Sequence, residues 1–304
     1  MLEEKEARAA VLAAAKGMLG HRLTSGTSGN VSARLDGGTL VITPSGVPYQ
    51  DMGPGDLVVI TMAGEPVSPG AVSPGAVSPG PRGLVPSSEY QLHTACYQAF
   101  PEIGAVLHSH PPYASMFAAA REPVPAVIDE AVIFLGGDIP AAPYAISGSA
   151  GVGANAVAML AARASALLAN HGLVTIAATP AQALHQAVVS EHCAQVAWGV
   201  RALGGHVPLP AETLETHFNN VRAARSFLLV VTEPAREPLS FTWSLRCDGA
   251  NHRESGGASG RATIANGHWV KRISPHWIKH PVKCSGSISG VAAGTPVLVR
   301  AFAA

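Results

Sequence analysis

The sequence predicts an α/β fold. Segments with helical spacing of apolar residues alternate with short β-branched runs through most of the chain. Its 304 residues are 47% hydrophobic, enough to bury a substantial core. No apolar run reaches the roughly 18 uncharged residues that span a bilayer, so a globular protein is expected.

Residues 2 to 19, rich in Ala, Leu and Glu, read as an amphipathic helix ended by Gly20. GTSGNVSARL follows. Gly26 and Gly29 permit a tight turn, and Thr27, Ser28 and Asn30 set short polar groups beside backbone amides. That is the chemistry of an anion cradle, or simply of a turn. The GK[ST] ending of a Walker loop and the GxGxxG spacing are both missing. TLVIT from Thr39 and DLVVITM from Asp56 are strands. Between them Ser45 and Gly46 form a second small polar turn that can face the same anion as Asn30. Residues 67–82 are a Pro/Gly/Ser-rich insertion built on a five-residue repeat, expected as an exposed loop.

PSSEYQLHTACYQAF is a helix pattern with Ser87 or Ser88 as its natural N-cap and Glu89 in its first turn. With these serines, three short loops supply donors of the kind a phosphate needs. The run from Gly104 to His110 is strand-like, so His108 and His110 share one face while Ser109 turns away. His171, after the strand-like ASALLAN, is the best third candidate. Histidines on a strand are also often merely exposed or satisfied in the core. Three imidazoles with Glu89, however, suit a divalent ion such as zinc, with manganese or cobalt as alternatives. A carboxylate that can leave the metal and act as a base makes such a site more than structural.

PPYASMFAAA begins a short helix. AVIDEAVIFL then sets Asp129 and Glu130 among apolar residues, where a buried carboxyl would titrate high and suit a general acid or base. The alternative is that both lie in water. GVGANAVAMLAAR from Gly151 is a helix, and GLVTIA after His171 is strand-like. Thr179 and Pro180 start a long helix that ends at Gly204 and Gly205. On it His185 and His192 read as packing or subunit-contact residues and Glu191 as structural.

Residues 1–218 carry 9 Lys and Arg against 16 Asp and Glu, whereas residues 219–304 carry 11 against 4. The balance moves from −7 to +7, which argues for a boundary near residue 218. The 219–304 segment lacks a clear period apart from SFLLVV and TPVLVRAF and is expected to be an atypical, poorly ordered tail. Cys96, Cys193, Cys247 and Cys284 show no CxxC spacing, so neither a disulfide framework nor a cysteine metal site is indicated. The charged start MLEEKEARAA is unlike a secretory signal; a cytoplasmic protein with no nucleic-acid or membrane partner is expected.

Taken in order, GTSGNVSARL, ITPSGVPY, PSSEYQLH, AVLHSHPPYA, GGDIPAAPYA and LLANHGLV resemble the class II aldolase and adducin head family over about residues 3 to 217. The resemblance implies a three-layer α/β/α sandwich around a central, mainly antiparallel sheet, assembled as a homotetramer with active sites between subunits. It implies Glu89, His108, His110 and His171 as metal ligands, and Thr27, Gly29, Asn30, Ser45, Gly46, Ser87 and Ser88 as the phosphate site. The implied reaction is metal-dependent cleavage of a (deoxy)ketose 1-phosphate, such as L-fuculose or a 5-deoxypentulose 1-phosphate, to dihydroxyacetone phosphate and an aldehyde. Glu89 would handle the enediolate proton. Glu130 stands where fuculose-phosphate aldolases place a tyrosine, and would take over the proton transfer at the departing aldehyde oxygen. A glutamate there also resembles methylthioribulose-1-phosphate dehydratases, the second enzyme reading. A non-catalytic adducin-like binding module is the third, although such a head is expected to lose its metal ligands and all four are present here.

Overall fold

The computed structural model describes residues 3–67, 83–101, 103–160, 163–210 and six strand segments between residues 226 and 302. The chain divides into two compact units, Met1–Leu209 and Pro210–Ala304. The boundary expected near residue 218 and the insertion from residue 68 to 82 lie outside the described residues.

The first unit is built on a seven-stranded sheet. In chain order its strands are β1 (Asn30–Arg34), β2 (Thr39–Ile42), β3 (Val58–Thr61), β4 (Ala105–Ser109), β5 (Ala141–Ala142), β6 (Ser165–Leu168) and β7 (Gly172–Ala177). Their order across the sheet is β3-β2-β1-β4-β7-β6-β5. Each pairing is antiparallel except β5 with β6, which is parallel. The helices are α1 (Glu4–Gly20), α2 (Tyr90–Ala99), α3 (Pro112–Ala120), α4 (Asp129–Leu135), α5 (Ala150–Leu160) and α6 (Pro180–Ala202).

Strand alternation decides the layers. Val31 and Ala33 of β1, Ala105 and Leu107 of β4, and Leu173 and Ala177 of β7 join one core with Val11 and Met18 of α1 and Ala183, Ala187 and Ala194 of α6. Ser32 of β1 points the other way, to a hydrogen bond with His93 of α2, and α2 packs on α5. The sheet is thus covered on both faces, as the α/β/α expectation required. Val11 and Met18 are fully buried, each contributing about 1.5–3 kcal/mol. Differences in helix propensity among ordinary residues stay below about 0.7 kcal/mol, so packing rather than propensity holds α1.

Thr179 caps α6 as expected, its hydroxyl accepting the Gln182 N–H at 3.3 Å. The start of α2 differs from expectation. Glu89 is itself the N-cap residue, and the Ser87 hydroxyl accepts the Glu89 N–H at 3.3 Å. The helix therefore begins one residue after Glu89, and the carboxylate leaves from the junction rather than from the first turn.

The second unit contains β8 (Ser226–Thr232), β9 (Leu239–Gly249), β10 (Ser255–Ile264), β11 (His268–Ile273), β12 (Pro281–Ser289) and β13 (Val297–Phe302). They form two three-stranded antiparallel sheets, ordered β10-β9-β12 and β11-β8-β13. β8 and β13 match SFLLVV and TPVLVRAF. The Gly- and Ser-rich β10 and β12 lack the alternation of a half-buried strand, so only their backbone ladders reveal them.

Candidate metal centre

The centre lies where four pieces of chain meet. β4 ends at Ser109, presenting His108 from the strand and His110 just beyond it. β1 begins at Asn30, which pairs with His108 in register. His171 occupies the tight turn between β6 and β7, where Asn170 takes a left-handed backbone with φ 56°. Glu89 arrives from the start of α2.

The ligating atoms of His108, His110 and His171 all lie within 4.8 Å of one another. Glu89 closes the group: its Oε2 is 3.2 Å from His108 Nε2 and its Oε1 is 3.2 Å from His171 Nε2. The Nε2 atoms of His108 and His110 are 2.9 Å apart. Donors bound to one tetrahedral ion at about 2.0–2.1 Å stand about 3.3 Å from each other, so these separations fit a single divalent ion. Tautomer chemistry agrees. His108 Nδ1 is 2.9 Å from the Leu173 carbonyl, to which it can only donate, and this turns the Nε2 lone pair toward the centre.

Electrostatics favour the same use. Burial and the neighbouring His108 and His171 push His110 down to about 4, although Glu89 opposes them; it offers a lone pair at neutral pH. Burial alone would raise the Glu89 carboxyl, but the close approach of His108 and His171 holds it well below the usual range. Two further donors support the carboxylate. Asn30 Nδ2–H donates to Oε2 at 2.9 Å, and the Ser147 hydroxyl donates to Oε1 at 2.8 Å.

The expected anion residues fall on three loops laced to one another. Ser45 N–H donates to the Val85 carbonyl at 3.0 Å, and Ser87 N–H donates to the Thr43 carbonyl at 3.1 Å. Tyr49 donates its hydroxyl to the Gly29 carbonyl, with the Ser28 carbonyl 3.2 Å away. Thr27, Ser45, Gly46 and Ser88 line the accessible side of these loops, while Asn30 and Ser87 are buried. Gly29, at φ 80°, passes so close to β4 that a Cβ would stand 2.7 Å from the His108 carbonyl oxygen.

Glu130 lies elsewhere. It is exposed in the first turn of α4, whose Ala131 and Leu135 join the α1–α6 core, and its charge helps burial push the Cys193 thiol of α6 up to about 12. Of the two readings open for the Asp129–Glu130 pair, the structure has both residues exposed to water. Ser147 and His93 were not foreseen. Ser147 sits in an irregular loop with no periodic signal, and His93 occupies an apolar stripe, its one cue being the four-residue spacing from Glu89. His185 and His192 lie on α6, and His185 meets Phe134 edge-on at 5.0 Å.

Over 216 residues the chain is 33% identical to a 5-deoxy-D-ribulose 1-phosphate aldolase of Bacillus thuringiensis, covering 71% of this chain and 94% of the relative. It is 34% identical over 193 residues to a 5-methylthioribulose-1-phosphate/5-deoxyribulose-1-phosphate aldolase of Rhodospirillum rubrum, covering 64% and 80%. A solved L-fuculose 1-phosphate aldolase superposes with a TM-score of 0.63 at 30% identity, over 70% of this chain and 94% of its own. Residues 9–198 match the family model for the class II aldolase and adducin N-terminal domain. With that match spanning more than half of the chain, and a tri-histidine and carboxylate centre at its heart, the protein belongs to the class II aldolase and adducin N-terminal domain family.

Proposed function

We propose that the protein is a divalent-metal-dependent aldolase that cleaves a short (deoxy)ketose 1-phosphate to dihydroxyacetone phosphate and an aldehyde. The observation that carries this reading is Glu89, whose two carboxylate oxygens each stand 3.2 Å from a different imidazole nitrogen. His108, His110, His171 and Glu89 would hold the ion, zinc by preference for three imidazoles and one carboxylate, with manganese or cobalt as alternatives. When bound, such an ion supplies a Lewis acid for the substrate carbonyl.

The chain's own groups do the rest. Cleavage breaks the C3–C4 bond as the C4 hydroxyl loses its proton, and a proton delivered to C3 of the resulting enediolate completes dihydroxyacetone phosphate. Glu89, held ionised in the resting site, is the proposed carrier of the C3 proton: it takes up a proton from water and then delivers it to C3. Glu130 is the proposed partner for the proton at the aldehyde oxygen. Thr27, Gly29, Asn30, Ser45, Gly46, Ser87 and Ser88 form the proposed phosphate site, supported by the lacing of their three loops. We further propose a cytoplasmic homotetramer. Exposed Met116, Ile133, Phe134 and Trp198 support burial against other copies. Among the described residues no helix is long and apolar enough to cross a membrane.

The relatives' names favour 5-deoxyribulose, methylthioribulose and fuculose phosphates as substrates to try. The test is product analysis of zinc-loaded protein with each offered separately. Release of dihydroxyacetone phosphate is expected. A dehydrated diketone phosphate without cleavage would replace this reading with the dehydratase.

A further inference from the structure

We propose that His93 is a positioning residue for Glu89 and acts through Asn30. A one-way chain of hydrogen bonds runs from Tyr97 to Ser32, His93 and Asn30, and ends on Glu89 Oε2, fixing the orientation in which the carboxylate meets the histidines. The inference rests on the reading of Glu89 as the working carboxylate of the aldolase site.

His93 lies one helical turn beyond Glu89 on α2 and is fully buried. The two side chains are joined through β1. His93 Nε2 meets Asn30 Oδ1, and Asn30 Nδ2 meets Glu89 Oε2 at 2.9 Å. On its other side, His93 Nδ1 is 2.6 Å from Ser32 Oγ, which is 2.9 Å from the Tyr97 hydroxyl. Each link determines the next. An ionised carboxylate only accepts, so Asn30 must turn its amide nitrogen toward Glu89 and its oxygen toward His93. The His93 Nε2 must therefore carry the proton. Burial pushes His93 down to about 3, so the neutral ring has one N–H, and Nδ1 must accept from the Ser32 hydroxyl. Ser32, having donated, accepts from Tyr97. All the donors point at Glu89, and reversing one link would set two acceptors against each other.

The chain also changes the reading of Asn30. The residue is 2% exposed, with its oxygen on His93 and one amide hydrogen on Glu89. At most one N–H is left for an anion, so its main task is to orient Glu89.

Long-range ¹⁵N–¹H spectra of the labelled protein decide the direction without any substrate. The Nε2–H tautomer is expected for His93, identified by its loss in His93→Gln; an Nδ1–H tautomer would overturn the chain. Kinetics of the zinc-loaded protein decide its use. His93→Leu is expected to lower kcat about 10–100-fold, in the range seen when outer hydrogen bonds to metal ligands are lost. KM should change by less than about threefold, as for an interaction made in the transition state. His93→Gln, whose amide can still donate to Asn30 Oδ1, should recover most of the rate. Equal losses in both variants, tracking a lower Tm, would make His93 a packing residue. If the wild-type protein cleaves no ketose phosphate, the aldolase reading fails, while the tautomer still decides the chain.

Discussion

Gly172 lies directly against His110: a Cβ on Gly172 would stand 2.6 Å from the His110 Cδ2 and 2.5 Å from the Ser109 carbonyl oxygen. The first residue of β7 must therefore lack a side chain for the imidazole to keep its place beside His108 and His171. Gly172→Ala has to move either the strand or the ring, and such overpacking costs typically about 1–3 kcal/mol. We expect weaker zinc binding together with a lower Tm, read by competition with a chelator and by thermal unfolding. Unchanged zinc affinity would mean that His110 is not held there by this contact.

Glu191 of α6 steadies the segment that follows the same histidine. Pro111 and Pro112 come directly after His110 and have no N–H to offer, so the first amides of α3 are those of Tyr113 and Ala114. Glu191 accepts both, one on each carboxylate oxygen, at 2.9 Å. Burial raises its carboxyl while these two bonds oppose the rise. Glu191→Ala leaves both donors without that acceptor, at a cost of about 1–3 kcal/mol for each one left unsatisfied. A lower urea midpoint is expected, with a further loss of zinc affinity because α3 starts two residues after His110. An unchanged midpoint would show that water replaces the carboxylate without loss.

The metal-free protein should lose stability on mild acidification before its carboxylates titrate. His93 and His110 are pushed down to about 3 and about 4, below the roughly 6.5 of an unfolded histidine. In that interval the unfolded chain binds protons that the folded chain refuses, so their contribution is whole above about pH 6.5 and is lost as pH falls. The Glu89 carboxyl is held down in the fold; its contribution is whole above about pH 4.3 and is lost only as pH falls below that. Urea midpoints should therefore begin to drop between about pH 7 and 5, with a shallower slope in His93→Gln. A flat profile over that range would refute the assignment of these buried rings as neutral.

Much of the centre was legible because strand alternation and motif order are local signals. His108 and His110 share a face by the two-residue period, and His171 follows from its place between two strands. The rest depends on partners far along the chain. His93 looks like one more position of an apolar stripe until Ser32 and Asn30 are beside it. β1 was hidden inside GTSGNVSARL for a different reason: Val31 and Ala33 do alternate with Asn30, Ser32 and Arg34, but the strand is only five residues long and directly follows a glycine-rich polar turn. Ser147 carries no periodic signal at all. The glycine- and serine-rich strands of the second unit are held by backbone ladders, which composition does not reveal.

Glu130 and Glu89 belong to different layers. α4 packs on the α6 side of the sheet, whereas Glu89 introduces α2 on the opposite side. In the proposed homotetramer, a carboxylate exposed on α4, beside Ile133 and Phe134 at 38% and 43% exposure, would serve the centre of a neighbouring copy rather than its own. Glu130→Gln should then keep zinc affinity and lower kcat by about 10²–10⁴-fold, the usual worth of a general acid or base. His110→Ala should lose zinc and activity outright. Dissociating the two variants and reassembling them together supplies the decisive readout. A Glu130→Gln subunit keeps its metal centre and can borrow the missing carboxylate from a His110→Ala neighbour, so the mixture should be far more active than either variant alone. If the mixture stays silent while each variant still forms the oligomer, Glu130 does not act across an interface, and the proton at the aldehyde oxygen must be handled by another group.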